Sequence, residues 1–114
     1  MMACIWSSNS FRESDVELCL EQPECAVISD TVAIANEGIL KDHIGSLSGY
    51  GWAARFLQHY VRDKQLLNLS EALKKITSIP AKRVGLKNRG MLQEGFYADI
   101  CVFDAANITS NVTT

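Results

Sequence analysis

Asp30 is the side chain of this sequence that is best placed for acid–base chemistry. It follows Ser29 at the end of an unbroken apolar run, Cys25–Ile28. Such a run predicts a strand that is buried on both faces, as in a parallel sheet flanked by helices. Sheets of this kind carry their chemistry at the carboxyl ends of their strands. The alternative is that Asp30 only forms the turn after the strand, because aspartate is common there.

The elements around this run follow from the spacing of apolar residues. That spacing predicts helices over Phe11–Glu21, Gly49–Gln65 and Asn68–Thr77, and the last of them begins with the Asn-x-x-Glu spacing of a capping pair. After Gly90 the pattern changes to short β runs. A long irregular loop, Thr31–Ser48, joins the strand to the second helix. Loops of that length are usually functional or disordered.

Composition argues against several classes of partner. The chain has 114 residues and a formal net charge of −2, and its one basic cluster, Lys82–Arg89, contains no aromatic residue, so we expect no nucleic-acid partner. No apolar stretch approaches the roughly 20 residues that span a bilayer, so we expect no membrane partner and a cytoplasmic location. The four cysteines form no CxxC pair, which favours reduced thiols over disulfides or a zinc cluster.

Two motifs in the carboxyl-terminal half are specific enough to indicate a family. Residues 80–86 read Pro-Ala-Lys-Arg-Val-Gly-Leu, and residues 90–100 read Gly-Met-Leu-Gln-Glu-Gly-Phe-Tyr-Ala-Asp-Ile. Together they resemble the carboxyl-terminal signature of the amidohydrolase superfamily. With Gly-Trp-Ala-Ala-Arg-Phe-Leu at 51–57 added, the chain resembles the N-acyl-D-amino-acid deacylase (D-aminoacylase) branch, and the resemblance covers roughly residues 5–104.

The resemblance implies an α/β fold. The chain would be the carboxyl-terminal piece of a metal-dependent (β/α)8 (TIM) barrel, with the last strand and its flanking helices in residues 1–89. Residues 90–104 would be strands of a small β-domain, and residues 105–114 a flexible tail. Complete members of the family carry a metal-binding His-x-His, whereas His43 and His59 form no such pair. We therefore expect a fragment of an amidohydrolase.

The resemblance also implies roles for particular residues in hydrolysing the amide bond of N-acyl-D-amino acids. Asp30 would contact the metal, expected to be zinc, and pass a proton from the attacking water to the departing amine. The other metal ligands would be absent from this chain. Lys41, His43 and Ser48 are the candidates for binding the N-acyl amino acid substrate, although simple surface exposure also explains them. The family counterpart of Asp99 is structural.

A non-catalytic chain is the second interpretation. Without the metal-binding histidines, the sequence could be a truncated remnant or an interaction module that packs on a partner chain. A lone barrel strand would leave its backbone edges and apolar faces uncovered. We therefore expect self-association, or docking onto the missing amino-terminal part, through a surface around Val27, Ile28, Trp52 and Phe56. His59, beside the apolar face of its helix, is expected to be packed or solvated rather than a ligand.

Overall fold

The computed structural model describes residues 12–28, 35, 37–39, 41 and 48–111 of the chain. In these ranges the regular elements are helices, namely α1 (Glu13–Glu21), α2 (Ser48–Phe56), a π-helix here called π1 (Leu57–Asp63), α3 (Leu69–Ile76) and α4 (Ser78–Arg83). The three helices predicted from apolar spacing are confirmed. They coincide with α1, with α2 continued by π1, and with α3, to within two residues at each end.

Local sequence explains where α3 begins. The side-chain oxygen of Asn68 accepts the N–H of Glu71 at 2.9 Å, and the Glu71 carboxylate accepts the N–H of Asn68 at 3.3 Å. This reciprocal pair satisfies N–H groups that every helix leaves unpaired at its start. Lys74 and Lys75 lie in the last turn, where positive charge suits the helix dipole. The predicted capping pair is therefore confirmed.

A left-handed glycine ends α4. Gly85 has a φ of 73°, and its N–H donates to the carbonyl of Lys82 at 3.2 Å. The N–H of Leu86 donates to the carbonyl of Ala81 at 2.9 Å. These two bonds form a Schellman motif, in which glycine avoids the steric cost of the left-handed conformation. The chain then turns back so that Gly90 lies directly against α4.

The second helix changes its hydrogen-bond register at Leu57. Downstream of that point the N–H of Lys64 donates to the carbonyl of His59, five residues back, at 2.9 Å. Bonds of this spacing define the wider π-helix. Gln65, with a φ of 53°, follows directly. The apolar period of the sequence predicted a helix here but carried no sign of the wider turn.

The core lies where α1, π1 and α3 meet. Partly buried apolar side chains from α1, π1 and α3 surround it, and Phe103 and Ile108 bring the carboxyl-terminal segment onto the same cluster. Each large apolar side chain buried here contributes about 1.5–3 kcal/mol to the free energy of unfolding. The buried members are Leu20, Phe56, Leu57, Leu67 and Ala72.

The carboxyl-terminal segment lies along π1. Arg62 donates to the carbonyl of Ile108 at 2.6 Å. The side-chain oxygen of Gln58 accepts the N–H of Ser110 at 3.0 Å. These bonds and the packing of Ile108 hold residues 104–111 against the helix. Flexibility of residues 105–114 concerns motion in solution and stays a prediction.

The strands expected from the sequence are absent from the described part of the chain, which is helical and irregular. The predictions of a strand over Cys25–Ser29 and of β-domain strands over 90–104 are therefore wrong for the residues described there. A strand needs a neighbouring strand to pair with, and the N–H of Val27 instead donates to the carbonyl of Lys75 at the end of α3, at 2.9 Å. Nor is this segment buried on both faces, because Ile28 is 71% exposed.

The helices in the described ranges are short. None of the helices in the described ranges is long and apolar enough to cross a bilayer. Even α2 and π1 together run only from Ser48 to Asp63, which is shorter than the roughly 20 residues that a spanning helix needs. The cytoplasmic location and the absence of a nucleic-acid partner stay predictions.

Candidate functional site

The predicted site residues fall mostly outside the described ranges. Asp30 and His43 lie outside them, and for Ser48 the backbone at the start of α2 is described but the side chain is not. Lys41 is exposed, and its N–H donates to the carbonyl of Gly38 at 3.3 Å in a turn. The described residues therefore bring no two of these four side chains together, and their roles stay predictions.

The segment that precedes the predicted catalytic residue is held by α3 and α4. Lys75 Nζ donates to the carbonyl of Gln22 at 2.6 Å, while the carbonyl of Lys75 accepts the N–H of Val27 at 2.9 Å. Between these two points Arg83 Nη2 donates to the carbonyl of Glu24 at 2.5 Å. The backbone from Gln22 to Val27 is thus fixed at both ends and in the middle.

Titratable side chains meet where α1 faces π1. Lys64 Nζ lies 2.7 Å from Glu13 Oε1 and also contacts the carboxylate of Glu17. His59 Nε2 lies 3.0 Å from the same oxygen of Glu13. The amino group of Lys64 lies 5.7 Å from the ring centroid of Tyr60. Sequence reasoning missed this cluster because Glu13 and Lys64 are 51 residues apart, so no spacing rule links them.

The contacts in this cluster shift the pKa values of its members. Hydrogen bonds from Lys64 and His59 lower the pKa of Glu13 from 4.5 to about 2. Hydrogen bonds to Glu13 and Glu17 raise the pKa of Lys64. Burial, together with the charge of Glu13, raises the pKa of Tyr60. None of these shifts brings a group toward neutral pH, where a general acid or base works best, so we interpret the cluster as a structural link between α1 and π1.

The described residues do not fit a metal site. Within the described ranges, no group of three or more histidine, cysteine, aspartate or glutamate side chains could hold a metal ion. Where His59 contacts Glu13 and Lys64 contacts both Glu13 and Glu17, the amino group of Lys64 already supplies the positive charge that a metal would bring. The described cysteines, Cys19, Cys25 and Cys101, are free thiols.

Asp99 closes the turn that follows α4. Its carboxylate forms an ion pair with Arg89, and the guanidinium carbon of Arg89 lies 4.3 Å from the ring centroid of Tyr97. The N–H of Tyr97 donates to the carbonyl of Asn88 at 2.9 Å. Arginine stacked on an aromatic ring in this way gains a cation–π interaction as well as the ion pair. These contacts give Asp99 a structural role.

An open apolar groove of about 860 Å³ lies between the α3–α4 pair and the segment after Gly90. Leu73 lines one wall, and Ile100 lines the other. Leu92, which also lines the groove, is 80% exposed, and Val102 is 91% exposed. Of the four residues predicted to form a docking surface, Ile28 is 71% exposed and Val27 and Trp52 are partly exposed, whereas Phe56 is only 4% exposed and belongs to the core. Docking through that surface stays a prediction, and a second exposed apolar face lies on the carboxyl-terminal side.

Comparison with known proteins gives the family. The profile of the Amidohydrolase family matches residues 39–114. The chain belongs to the amidohydrolase family. The match includes both motifs singled out in the sequence, at 80–86 and 90–100, and it begins after Asp30.

Three relatives of this amidohydrolase chain come from Alcaligenes xylosoxydans xylosoxydans. A D-aminoacylase is 39% identical over 80 residues, which are 70% of this chain and 16% of that protein. An N-acyl-D-aspartate deacylase is 39% identical over 64 residues, 56% of this chain and 13% of that protein. An N-acyl-D-glutamate deacylase is 35% identical over 92 residues, 81% of this chain and 18% of that protein. The predicted resemblance to the D-aminoacylase branch is confirmed.

The chain spans less than a fifth of the length of these curated relatives. No solved structure matches it. Within this amidohydrolase chain the family motifs have visible structural reasons, because Gly85 ends α4 and Gly90 lies against Ala81 in the same helix. The carboxyl-terminal motif also supplies Asp99, which pairs with Arg89.

Proposed function

We propose that this chain is the carboxyl-terminal part of a metal-dependent hydrolase that cleaves the amide bond of N-acyl-D-amino acids. The observation that carries the proposal is the family match, together with relatives that are each named as deacylases of D-amino-acid derivatives. Because the matched region is less than a fifth of each relative, the activity belongs to a larger polypeptide. This chain contributes one carboxylate and part of the substrate site.

Asp30 is the catalytic residue in this proposal. Amide hydrolysis requires a group that takes a proton from the attacking water and returns one to the departing nitrogen, and a carboxylate can do both in turn. Asp30 is the carboxylate that directly follows the apolar segment held by α3 and α4. Lys41, His43 and Ser48 follow it in the same loop and are proposed to bind the substrate. Lys41 or His43 would bind the carboxylate of the substrate.

Zinc remains the proposed metal of the complete enzyme. Asp30 is the one residue of this chain to which we assign a metal contact, and the described residues offer no cluster that could hold the ion. A catalytic zinc site usually takes three protein ligands. The remaining ligands are therefore assigned to polypeptide beyond these 114 residues.

The partner of this chain is proposed to be the amino-terminal part of the same enzyme. The exposed apolar face formed by Leu86, Met91, Leu92, Ile100 and Val102 is the surface that would dock, since these side chains are 50–91% exposed. Contiguous apolar surface of this kind marks interaction sites on soluble chains. The backbone N–H and C=O groups of residues 98–103 form no backbone hydrogen bond within the described part of the chain. They are free to form hydrogen bonds with the backbone of that partner.

A hybrid enzyme tests the catalytic proposal. This chain would replace the matching part of the Alcaligenes D-aminoacylase, and the hydrolysis of N-acetyl-D-amino acids would be measured. Asp30→Asn should lower kcat by about 10² to 10⁴-fold, the usual contribution of a positioned acid or base, while the hybrid stays folded. Asp63→Asn is the matched control, because that carboxylate pairs with its sequence neighbour Arg62 and has no role in the proposed reaction. Activity of Asp30→Asn within a factor of about ten of the unmodified hybrid would contradict the role.

The non-catalytic alternative is favoured by one observation, the exposed apolar face. It predicts that this chain binds a partner but that no hybrid carrying it hydrolyses N-acyl-D-amino acids. Light scattering of the chain alone, and of the chain mixed with the amino-terminal part of the D-aminoacylase, measures docking separately from catalysis. Leu92→Asp combined with Val102→Asp should abolish association in either interpretation, whereas Lys87→Asp, at an exposed polar position, should not.

A further inference from the structure

Lys75 is the buried charged residue of the described core, with only 3% of its surface exposed. Its amino group donates to the carbonyl of Gln22 at 2.6 Å. Gln22 is the residue that caps the carboxyl end of α1, where backbone carbonyls lack partners within the helix. A lysine buried in this way is retained only when its amino group is hydrogen-bonded. This bond therefore joins the end of α1 to the last turn of α3.

The backbone of the same residue makes the second contact. The carbonyl of Lys75 is one of the last four of α3, which have no partner inside that helix. It accepts the N–H of Val27 at 2.9 Å. One residue thus holds both ends of the segment from Gln22 to Val27, through its side chain at one end and its backbone at the other.

The segment held in this way has few other constraints. Pro23 prevents α1 from continuing, and within the described ranges no strand pairs with Cys25–Ile28. The N–H of Cys25 donates to the same carbonyl of Gln22 at 3.1 Å, and Arg83 donates to the carbonyl of Glu24. Cys25 and Val27 also pack partly against the core. The direction in which the chain leaves Val27 is therefore set by the end of α3.

We propose that Lys75 is a positioning residue, which fixes the segment Gln22–Val27 so that the chain beyond it presents Asp30 in a reproducible place. This inference rests on the proposed function, because the need to place Asp30 comes from its catalytic role. Asp30 is the third residue after Val27 in the sequence, and Val27 belongs to the segment that Lys75 holds. Rates of this kind of chemistry are sensitive to misplacement of about 1 Å.

Amide hydrogen exchange of the whole 114-residue chain tests whether Lys75 fixes the segment Gln22–Val27, and the measurement does not depend on activity. Lys75→Met keeps an apolar stem of similar length but removes the donor to Gln22. The N–H groups of Cys25 and Val27 keep their own acceptors, but the segment loses the side-chain bond at Gln22. Because it then opens more readily, these two amides should exchange at least about tenfold faster. The amide of Ala72, in the middle of α3, should change less. Lys74→Met, at the exposed neighbouring position, should leave all three amides unchanged.

An equal change in the exchange of Cys25, Val27 and Ala72 would overturn the proposal, because it would report a general loss of stability. If Lys75→Met does not fold, Lys75→Arg replaces it, since arginine keeps a donor but moves it. The proposal then requires faster exchange at Cys25 and Val27 with Ala72 unaffected, and an unchanged pattern at all three amides contradicts it.

The hybrid enzyme tests whether the contacts of Lys75 matter for catalysis. Lys75→Met should lower kcat at least about tenfold while KM stays within a factor of two, because substrate binding does not use Lys75 and the placement of the proton-transfer group does. Lys75→Arg should restore part of kcat, and Lys74→Met should have no effect. If Asp30→Asn removes activity but Lys75→Met does not, the positioning role is wrong and the proposed function stands. If Asp30→Asn leaves activity intact, the proposed function fails, whatever the exchange data show for Lys75.

Discussion

Lys64, which caps the carboxyl end of π1, lies 2.7 Å from Glu13 in α1 and joins two helices through residues that are 51 positions apart in the sequence. The same oxygen of Glu13 contacts His59, and the same amino group of Lys64 contacts Glu17. The link depends on the carboxylate charge of Glu13. It therefore has a defined dependence on pH.

The first prediction concerns that dependence. The pKa of Glu13 is about 2 in the folded chain and 4.5 when unperturbed, so the unfolded chain binds more protons between these values. The stabilisation from Glu13 is then complete above about pH 4.5 and is lost as pH falls toward about 2. Urea midpoints should show Glu13→Gln less stable than the unmodified chain by roughly 0.3 M above pH 5, since the pair is partly exposed.

The difference between Glu13→Gln and the unmodified chain should shrink to nothing near pH 2. Glu94→Gln, at an exposed turn position, is the control and should follow the unmodified chain at every pH. If the urea midpoint of Glu13→Gln differed as much at pH 2 as above pH 5, the carboxylate charge of Glu13 would not be what stabilises the contact between α1 and π1.

The second prediction separates two roles of glycine. Gly90 and Gly95 have φ values of 83° and 82°, so alanine at either position costs about 1–2 kcal/mol in the left-handed conformation. At Gly90 the added Cβ would also lie 2.8 Å from the Cβ of Ala81, whereas at Gly95 nothing lies within 4 Å. Gly90→Ala should therefore lower the free energy of unfolding by more than Gly95→Ala, as measured by urea denaturation. If the two substitutions lowered the free energy of unfolding equally, α4 would be able to move away from the added Cβ at position 90 without loss of stability.

The third prediction concerns the start of α3. Asn68→Ala removes the acceptor for the N–H of Glu71 and should cost about 1 kcal/mol of unfolding free energy. Asn68→Asp should restore most of it, because aspartate caps equally well. Ser70→Ala, at an exposed position inside the helix, should cost nothing, since alanine is the better helix former. A loss for Ser70→Ala as large as for Asn68→Ala would contradict the capping explanation.

The fourth prediction concerns metal. The isolated chain should retain less than one equivalent of zinc after dialysis and should not hydrolyse N-acetyl-D-amino acids. The physical reason is that a catalytic zinc site takes about three protein ligands, of which we assign only Asp30 to this chain. Metal analysis and an amine-release assay measure the two properties, with the hybrid enzyme as the positive control. A chain that held one equivalent of zinc and turned over substrate would show that it is a complete catalyst.

Local chemistry made part of this molecule predictable from its sequence. The capping pair of Asn68 and Glu71 and the apolar periods of α1, α2 and α3 depend on residues a few positions apart. The motifs at 80–86 and 90–100 indicated the family through their resemblance to the amidohydrolase signature, and the family match over residues 39–114 includes both. Asp30 was found from its place after an apolar run, and its role stays a proposal.

Only the tertiary structure decided the contacts between residues that are far apart in the chain. The pairing of Lys64 with Glu13 and the burial of Lys75 against Gln22 depend on how the helices dock, which no local spacing encodes. The strand expected at Cys25–Ser29 fails for a related reason. An apolar run indicates that a segment tends to be buried, but a strand forms only where another strand lies alongside it. In the described chain the N–H of Val27 donates to a carbonyl at the end of α3, and not to a neighbouring strand.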